Sequence, residues 1–136
     1  MRSNNDQVVR TFKTGGLAIG ANLIVIADTT DANNETVKLP TGADPVSGIV
    51  GITKYAATTS DTTIDVIIQG TADLNVKASG TNIAFGDFIG VHGATGSGKK
   101  IVTGTVSQAI GTAQEKATAD DVLISVRIGL CILSAS

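Results

Sequence analysis

An internal repeat at an offset of 60 residues constrains the fold more than any other feature of this sequence. Residues 50–68 align with residues 110–128, and seven of the nineteen aligned pairs are identical. The repeated pattern is a glycine in an apolar run, a turn with an aspartate, and then alternating Ile and Val. The identical pairs are Gly51 and Gly111, Ala57 and Ala117, Thr58 and Thr118, Asp61 and Asp121, Ile64 and Ile124, Val66 and Val126, and Ile68 and Ile128.

A shorter echo extends the repeat towards the N-terminus. Residues 17–20 resemble residues 83–86, and an apolar run follows each of them. Repeats of this size share one core rather than fold separately. We therefore expect two pseudo-repeats, about 17–70 and 83–129, joined by residues 71–82 in one barrel with pseudo-twofold character.

Short apolar runs separated by turn residues predict an all-β protein. The runs are rich in Ile, Val and Thr, which favour the pleated surface of a sheet. Ile64, Val66 and Ile68 fall on one face of a strand, and residues 122, 124, 126 and 128 share a face of another. A spacing of about 8 to 15 residues is typical of a compact barrel or sandwich, here of about 8–10 short strands with little or no helix. The predicted strands are 8–13, 23–28, 35–39, 49–54, 63–69, 72–77, 88–92, 100–103, 108–114 and 122–132.

The length and the first residues predict one domain with an arm. A chain of 136 residues suits a single domain, which we expect over 8–136. Residues 1–7 are polar and have no strand pattern, so this N-terminal arm is expected to be flexible alone. Such an arm can order by adding a strand to a partner. The predicted partner-binding residues are Arg2, Ser3, Asn4, Asn5, Asp6 and Gln7.

The composition argues against several kinds of site. Ten Lys and Arg against twelve Asp and Glu give a net charge of −2, unlike a protein that binds a phosphate backbone. Aromatic residues make up only 3%, so base-stacking platforms and aromatic sugar sites are not expected. One Cys and one His leave no disulfide framework and no Cys- or His-rich metal site. We predict no cofactor, no metal and no nucleic-acid partner.

The surface is expected to be poor in charge. Charged residues make up 16% of the chain, whereas about 25% is usual for a globular protein. The longest apolar stretches, 23–27 and 49–52, are far shorter than the roughly 20 residues of a membrane helix. Residues 1–6 do not have the pattern of a secretory signal. We expect a protein made in a cytoplasm that binds no membrane and covers apolar surface against copies of itself or a larger partner.

The segment from Gly93 to Lys100 comes close to a phosphate-binding loop. That loop has the pattern G-x-x-x-x-G-K-[ST] and opens a helix whose N-terminus faces the phosphates. Here Lys100 stands where the hydroxyl should bind magnesium, and strand-like residues follow. We therefore interpret the segment as a flexible Gly/Ser hairpin tip.

The other polar candidates also favour structural roles. Residues 28–35 lack the spacing of a calcium loop, so a polar hairpin loop is expected. Asp61 and Asp121 suit turns, because an aspartate bonds its own backbone and tolerates unusual dihedral angles. Cys131 lies in an apolar run and is predicted to be a buried, inert thiol, and His92 a solvent-facing turn residue. The sequence shows no combination of residues typical of a catalytic site, so we expect a structural or interaction protein and not an enzyme.

The doubled pattern resembles a known family. A glycine-containing apolar strand, an acidic turn and an alternating Ile/Val strand that ends in glycine resemble the capsid decoration, or head cement, proteins of tailed bacteriophages. These are small β-rich proteins formerly catalogued as a domain of unknown function. The resemblance covers about residues 8–130. The matching pieces are 49–52, 61–70, 83–87, 110–113 and 121–129.

The resemblance implies a structural virion protein. Such proteins bind the outer surface of the expanded head across joints between major capsid protein subunits, often as homotrimers, and stabilise it against internal DNA pressure. The implied partners are the major capsid protein and further copies of this chain, and no catalysis is needed. One alternative is a β-rich receptor- or glycan-binding module of a phage fibre or tail. Another is a nucleotide hydrolase that uses residues 93–99.

Overall fold

The computed structural model describes residues 6–31, 35–41, 48–102 and 107–133. Within these ranges the chain forms nine strands, rich in β-branched residues, and two single-turn 3-10 helices. The all-β fold predicted from the sequence is confirmed. The strands are β1 Val8–Lys13, β2 Ile24–Ala27, β3 Val37–Lys38, β4 Ile49–Thr53, β5 Thr63–Val76, β6 Phe88–His92, β7 Ser97–Lys100, β8 Ser107–Ala113 and β9 Val122–Leu133.

The strands form one sheet that closes on itself in its second half. Their order is β3-β2-β4-β5-β7-β6-β8-β9, and β5 also pairs with β9. Strands β5, β7, β6, β8 and β9 therefore make a closed ring. The pairing of β5 with β7 is parallel and consists of Val76 opposite Gly98, whereas the other strand pairings are antiparallel. Strand β1 lies outside this path and pairs with β5.

Strand β5 belongs to both halves of the molecule. Residues 63–69 pair with β1, and residues 70–76 pair with β9. The sequence predicted two strands here, but the structure has one strand of 14 residues. The reason is Gly70, which adopts a φ of 94° and still pairs with Ile128. Glycine reaches this region without steric cost, so the strand continues where a break was expected.

The contacts of the first half recur in the second half, with one partner of each contact shifted by the 60 residues of the sequence repeat and the other shifted by 64. Ile19 forms an isolated bridge with Ala57, and Ile83 forms one with Ala117. Asn22 N donates to Thr53 O at 2.9 Å, and Gly86 N donates to Ala113 O at 2.8 Å. Strands β2, β3, β4 and the first half of β5 thus correspond to β6, β7, β8 and β9. A single domain over 8–136 with these repeat boundaries stays a prediction.

The core consists of two apolar clusters that share β5. Ile64 and Val66 point into one cluster, and Ile68 packs against it from a half-buried position, so the predicted alternation is confirmed. Ile67 and Leu74 belong to the other cluster, inside the closed ring. Each fully buried Ile, Leu or Val side chain contributes about 1.5–3 kcal/mol relative to an exposed one. Burial of these apolar clusters therefore contributes a large part of the stability of the fold.

The end of β9 projects beyond the closed ring. Strand β5 pairs with β9 only as far as Ile128, and residues 129–133 pair with β8 alone. Leu130 and Ile132 are 44% and 58% exposed. Although its sequence is apolar, this end of β9 therefore lies outside the core. Val122 is 37% exposed where β9 begins, whereas Ile124 and Val126 farther along the strand are buried.

Candidate partner-binding surface

The described part of the predicted arm lies against the middle of β5. Arg2, Ser3, Asn4 and Asn5 lie outside the described residues. The Thr71 hydroxyl donates to Asp6 Oδ2 at 3.2 Å, and Gln7 Nε2 donates to Thr71 O at 2.9 Å. A Cβ added at Gly70 would collide with the backbone of Asp6. The last two arm residues are thus fastened to the strand that both halves share.

A shallow pocket of about 180 Å³ adjoins this anchored part of the arm. It combines amides, a lysine, a carboxylate, one aromatic ring and one aliphatic side chain. We call it the arm pocket, and its lining residues are Gln7, Asn22, Lys54, Tyr55, Ile67 and Asp73.

Tyr55 is the most exposed side chain of the arm pocket that could anchor a partner. It follows β4 and is 60% exposed, and Lys54 holds its Nζ 5.7 Å from the centroid of the Tyr55 ring. Lys54 N also donates to Asp65 O at 3.0 Å, which fixes the backbone where the chain leaves β4. An amphipathic aromatic ring with polar neighbours is the usual chemistry of a binding hot spot.

The reading of the sequence missed Lys54 and Tyr55. The repeat itself carries a signal for them, because residues 54 and 55 align with Gln114 and Glu115. Tyr55 is the only tyrosine of the chain, and it stands where the two halves differ. Positions that serve a partner in only one half are expected to depart from the repeat, whereas packing positions keep it.

Apolar side chains are also exposed outside the arm pocket. Phe85 is 74% exposed, Phe88 follows at the start of β6, and Leu17 lies in the turn region after β1. Together with Leu130 and Ile132 they leave apolar surface in several places. Large exposed apolar side chains in a charge-poor chain favour burial against a partner.

The segment from Gly93 to Lys100 is not a flexible tip. It does form the hairpin between β6 and β7, as expected, but Gly96, Ser97 and Gly98 are buried. Ile24 N donates to Gly96 O at 2.7 Å, so the turn packs against β2. Strand β7 therefore begins three residues earlier than predicted. A strand follows the glycines, so no helix N-terminus faces a phosphate site here.

The other single candidates behave as ordinary surface residues. His92 is exposed at the end of β6, as predicted. Cys131 is half-buried, which corrects the prediction of a buried thiol, because its stretch of β9 has β8 on one side only. In the ranges that the structure describes, no group of three His, Cys, Asp or Glu side chains could hold a metal ion. No helix in these ranges is long and apolar enough to cross a membrane.

Two of the predicted acidic turns have the expected chemistry. Asp61 Oδ2 accepts a hydrogen bond from Thr58 N at 2.7 Å, and Asp121 adopts a φ of 59°. Lys77 Nζ lies 2.6 Å from Asp121 Oδ1, and this hydrogen bond raises the pKa of Lys77. These carboxylates hold turns together and do not form a paired acid–base site.

Two further carboxylates are tied to backbone N–H groups. Asp120 Oδ1 accepts from the backbone N–H groups of Ser79 and Ala78, each at 3.0 Å, and these bonds lower the pKa of Asp120. Asp28 Oδ1 accepts from the Thr30 hydroxyl at 2.6 Å and from the Thr30 N–H at 3.1 Å, which lowers the pKa of Asp28. Residues 32–34 of the hairpin loop predicted over 28–35 lie outside the described residues.

The fold is similar to that of a protein from a phage head. The crystal structure of the N base of the head fiber gp8.5 of bacteriophage phi29 matches this chain with a TM-score of 0.61 and 14% sequence identity. The match covers 90% of this chain and 94% of that chain. No family model and no curated protein matches the sequence. At this identity the likeness shows a shared fold, and it extends over nearly the whole of both chains.

Proposed function

We propose that this chain is a structural protein of a bacteriophage virion and belongs to its head. The observation that carries the proposal is the fold shared with the N base of the phi29 head fiber, over 90% of this chain. The doubled sequence pattern supports it independently, because it resembles the head decoration proteins of tailed phages.

The finer proposal is a cement role on the outer surface of the capsid. The protein binds the expanded head across joints between major capsid protein subunits, together with further copies of itself as a homotrimer. Once one contact to a capsid subunit has formed, each further contact of the same oligomer is intramolecular. The oligomer therefore binds the shell with high avidity, although each single contact is weak. Binding only to the expanded shell stabilises that state by mass action, which resists the pressure of packed DNA.

The surface proposed to touch the capsid is the arm with the arm pocket. Asp6 and Gln7 are bonded to Thr71 of β5, and Gln7 lines the arm pocket together with the exposed Tyr55. An aromatic ring that becomes buried when the partner binds, surrounded by a polar rim, matches the usual anatomy of a protein interface. Binding of this kind needs no cofactor and no catalytic group, so the proposal includes neither.

Co-sedimentation with capsids tests the proposal. The purified protein is mixed with expanded, undecorated capsids of its phage, and unexpanded shells serve as the control. The proposal predicts saturable pelleting with expanded shells only, at a fixed number of copies per capsid subunit. Pelleting with neither shell, from a folded sample, would contradict it and would favour a receptor- or glycan-binding module of a fibre or tail.

A further inference from the structure

We infer that β1 is an exchangeable strand, which pairs with β5 of a second copy when the protein self-associates. In the single chain, β1 lies antiparallel to residues 63–69 of β5. In the exchanged form, the same β1 residues form the same ladder with the neighbouring copy. This inference concerns self-association and stands whether or not the capsid proposal holds.

The first support is the position of β1 at the edge of the sheet. Among the described residues, β5 is its only partner strand, apart from an isolated bridge between Lys13 and Thr36. Besides its ladder with β5, release of β1 breaks the single backbone bond from Lys13 N to Glu35 O at 3.1 Å. An interior strand would have to break two ladders at once.

The second support is the small amount of burial. None of the six side chains of β1 is buried, and only Phe12 is partly covered. The interior strand β5, in contrast, places Ile64, Val66 and Ile67 in the core. Hydrophobic stabilisation scales with the apolar area removed from water, so release of β1 loses little of it.

The third support is the nature of the contacts that fasten β1. Arg10 pairs with Glu35 at 2.9 Å, and the Thr11 hydroxyl donates to Asp65 Oδ1 at 2.7 Å, both at exposed positions. Exposed ion pairs contribute about 0–1 kcal/mol. A second copy carries the same Glu35 and Asp65, so every one of these contacts is available there.

The fourth support is a hinge directly after β1. Gly15 and Gly16 have φ values of 64° and 81° and make the chain turn back. No atom lies within 4 Å of a Cβ placed on Gly16, and the backbone bond across this turn, from Leu17 N to Thr14 O, is long at 3.3 Å. Two adjacent glycines also adopt an extended conformation without steric cost. The turn can therefore open and direct β1 to another molecule.

These features together identify the occupant as a second copy of this chain. Release of β1 uncovers an edge of β5 whose register and side chains match β1 itself. Exchange of an identical element is a low-cost route to an oligomer, because the exchanged contacts replace those that were lost. The net change is confined to the hinge and to the entropy of association.

A pair of engineered cysteines tests the exchange. Thr11 and Asp65 lie opposite each other, and Asp65 O is bound on its other side by Lys54 N. They therefore form a non-hydrogen-bonded pair, whose Cα separation of about 4.5 Å suits a disulfide. The variant carries T11C and D65C, with C131S to remove the native thiol. It is oxidised mildly at a concentration where the protein is oligomeric, and the products are separated under denaturing, non-reducing conditions.

A matched pair on the other half of β5 is the control. Asn75 faces Leu123 of β9, and Asn75 N donates away from β9 to Asn22 O, so this pair has the same ladder geometry. The exchange predicts covalent dimers or trimers for T11C/D65C and covalent monomers for N75C/L123C. If the disulfides of both T11C/D65C and N75C/L123C form within single chains of an oligomeric sample, the inference is overturned. A wild-type protein that stays monomeric at every concentration would overturn it as well.

A variant of the hinge tests the exchange independently, in case the cysteine variants do not fold. Proline fixes φ near −65°, so G15P/G16P cannot adopt the observed turn. If β1 exchanges, this variant keeps its β structure and shifts towards the oligomer, with a dissociation constant lowered about tenfold or more, equivalent to about 1.4 kcal/mol. A folded G15P/G16P protein that is more monomeric than the wild type would contradict the exchange.

Discussion

Gly111 of β8 lies so close to the backbone carbonyl of Arg127 in β9 that no side chain fits between them. Sixty residues earlier, Gly51 of β4 stands in the same relation to the carbonyl of Ile67 in β5. These two pairs explain why glycine is kept at both positions of the repeat. Each glycine lets two strands of its half approach closely at one point of the core.

Substitution of this glycine is expected to destabilise the fold strongly. In G111A the added methyl group would overlap a backbone oxygen, which cannot rotate away as a side chain would. Overpacking a core costs typically about 1–3 kcal/mol, and a backbone clash belongs at the upper end. Denaturant unfolding measures the change. G129A is the control, since nothing lies within 4 Å of its added Cβ, and a change within about 0.5 kcal/mol is expected there.

Removal of the aromatic ring from the arm pocket is expected to weaken capsid binding and leave the fold intact. Tyr55 is mostly exposed, so Y55A removes little core packing. A hot-spot residue contributes about 2 kcal/mol or more, which corresponds to roughly a 30-fold loss of affinity for expanded shells. F85A is the comparison, because Phe85 is also exposed but does not line the arm pocket. Equal losses for the two variants would remove the arm pocket from the proposed contact.

The arm is expected to matter for binding more than for folding. Deletion of residues 1–7 removes the bonds of Asp6 and Gln7 to Thr71, and neither of these two described residues is buried. We expect the thermal midpoint to fall by only a few degrees, whereas pelleting with expanded shells weakens about tenfold or more. Sedimentation and thermal unfolding on the same sample separate the two effects. Unchanged pelleting would mean that the arm is not a contact element.

Acid is expected to weaken the turn that Asp120 holds. Its hydrogen bonds from Ser79 and Ala78 lower its pKa in the folded state below the ordinary 3.8. The stabilisation is therefore fully present above that ordinary value and is lost as the pH falls through the lower pKa of the folded state. D120N should lower the thermal midpoint at pH 7 and reduce its further fall between about pH 5 and pH 2. Identical acid profiles for the variant and the wild type would contradict this role of Asp120.

Much of the fold could be predicted because its signals are local. The bounds of β1 and β6 coincide with the predicted runs, since alternating β-branched residues and flanking turn residues mark both ends. The continuity of β5 could not be read in the same way. A glycine interrupts the apolar pattern whether the strand ends there or continues through it. Only the neighbours of Gly70, Asp6 on one side and Ile128 on the other, show that the strand continues.

The candidate site was less predictable, because exposure and burial depend on what packs nearby. The glycines at and before the start of β7 look like a flexible loop in the sequence, yet β2 packs against Gly96. Cys131 lies in an apolar run that looks like core, yet the pairing of β9 with β5 stops at Ile128, before Cys131. Tyr55 becomes a candidate only when Gln7 and Asp73, distant in the sequence, are seen beside it.

Electron cryomicroscopy of capsids tests the central claim most directly. Expanded heads are reconstructed with and without the added protein, and the two maps are subtracted. The account predicts β-rich difference density on the outer surface that spans joints between major capsid protein subunits, with the arm and Tyr55 facing the shell. Heads that carry no outer density at saturating protein, or density on the tail alone, would contradict it.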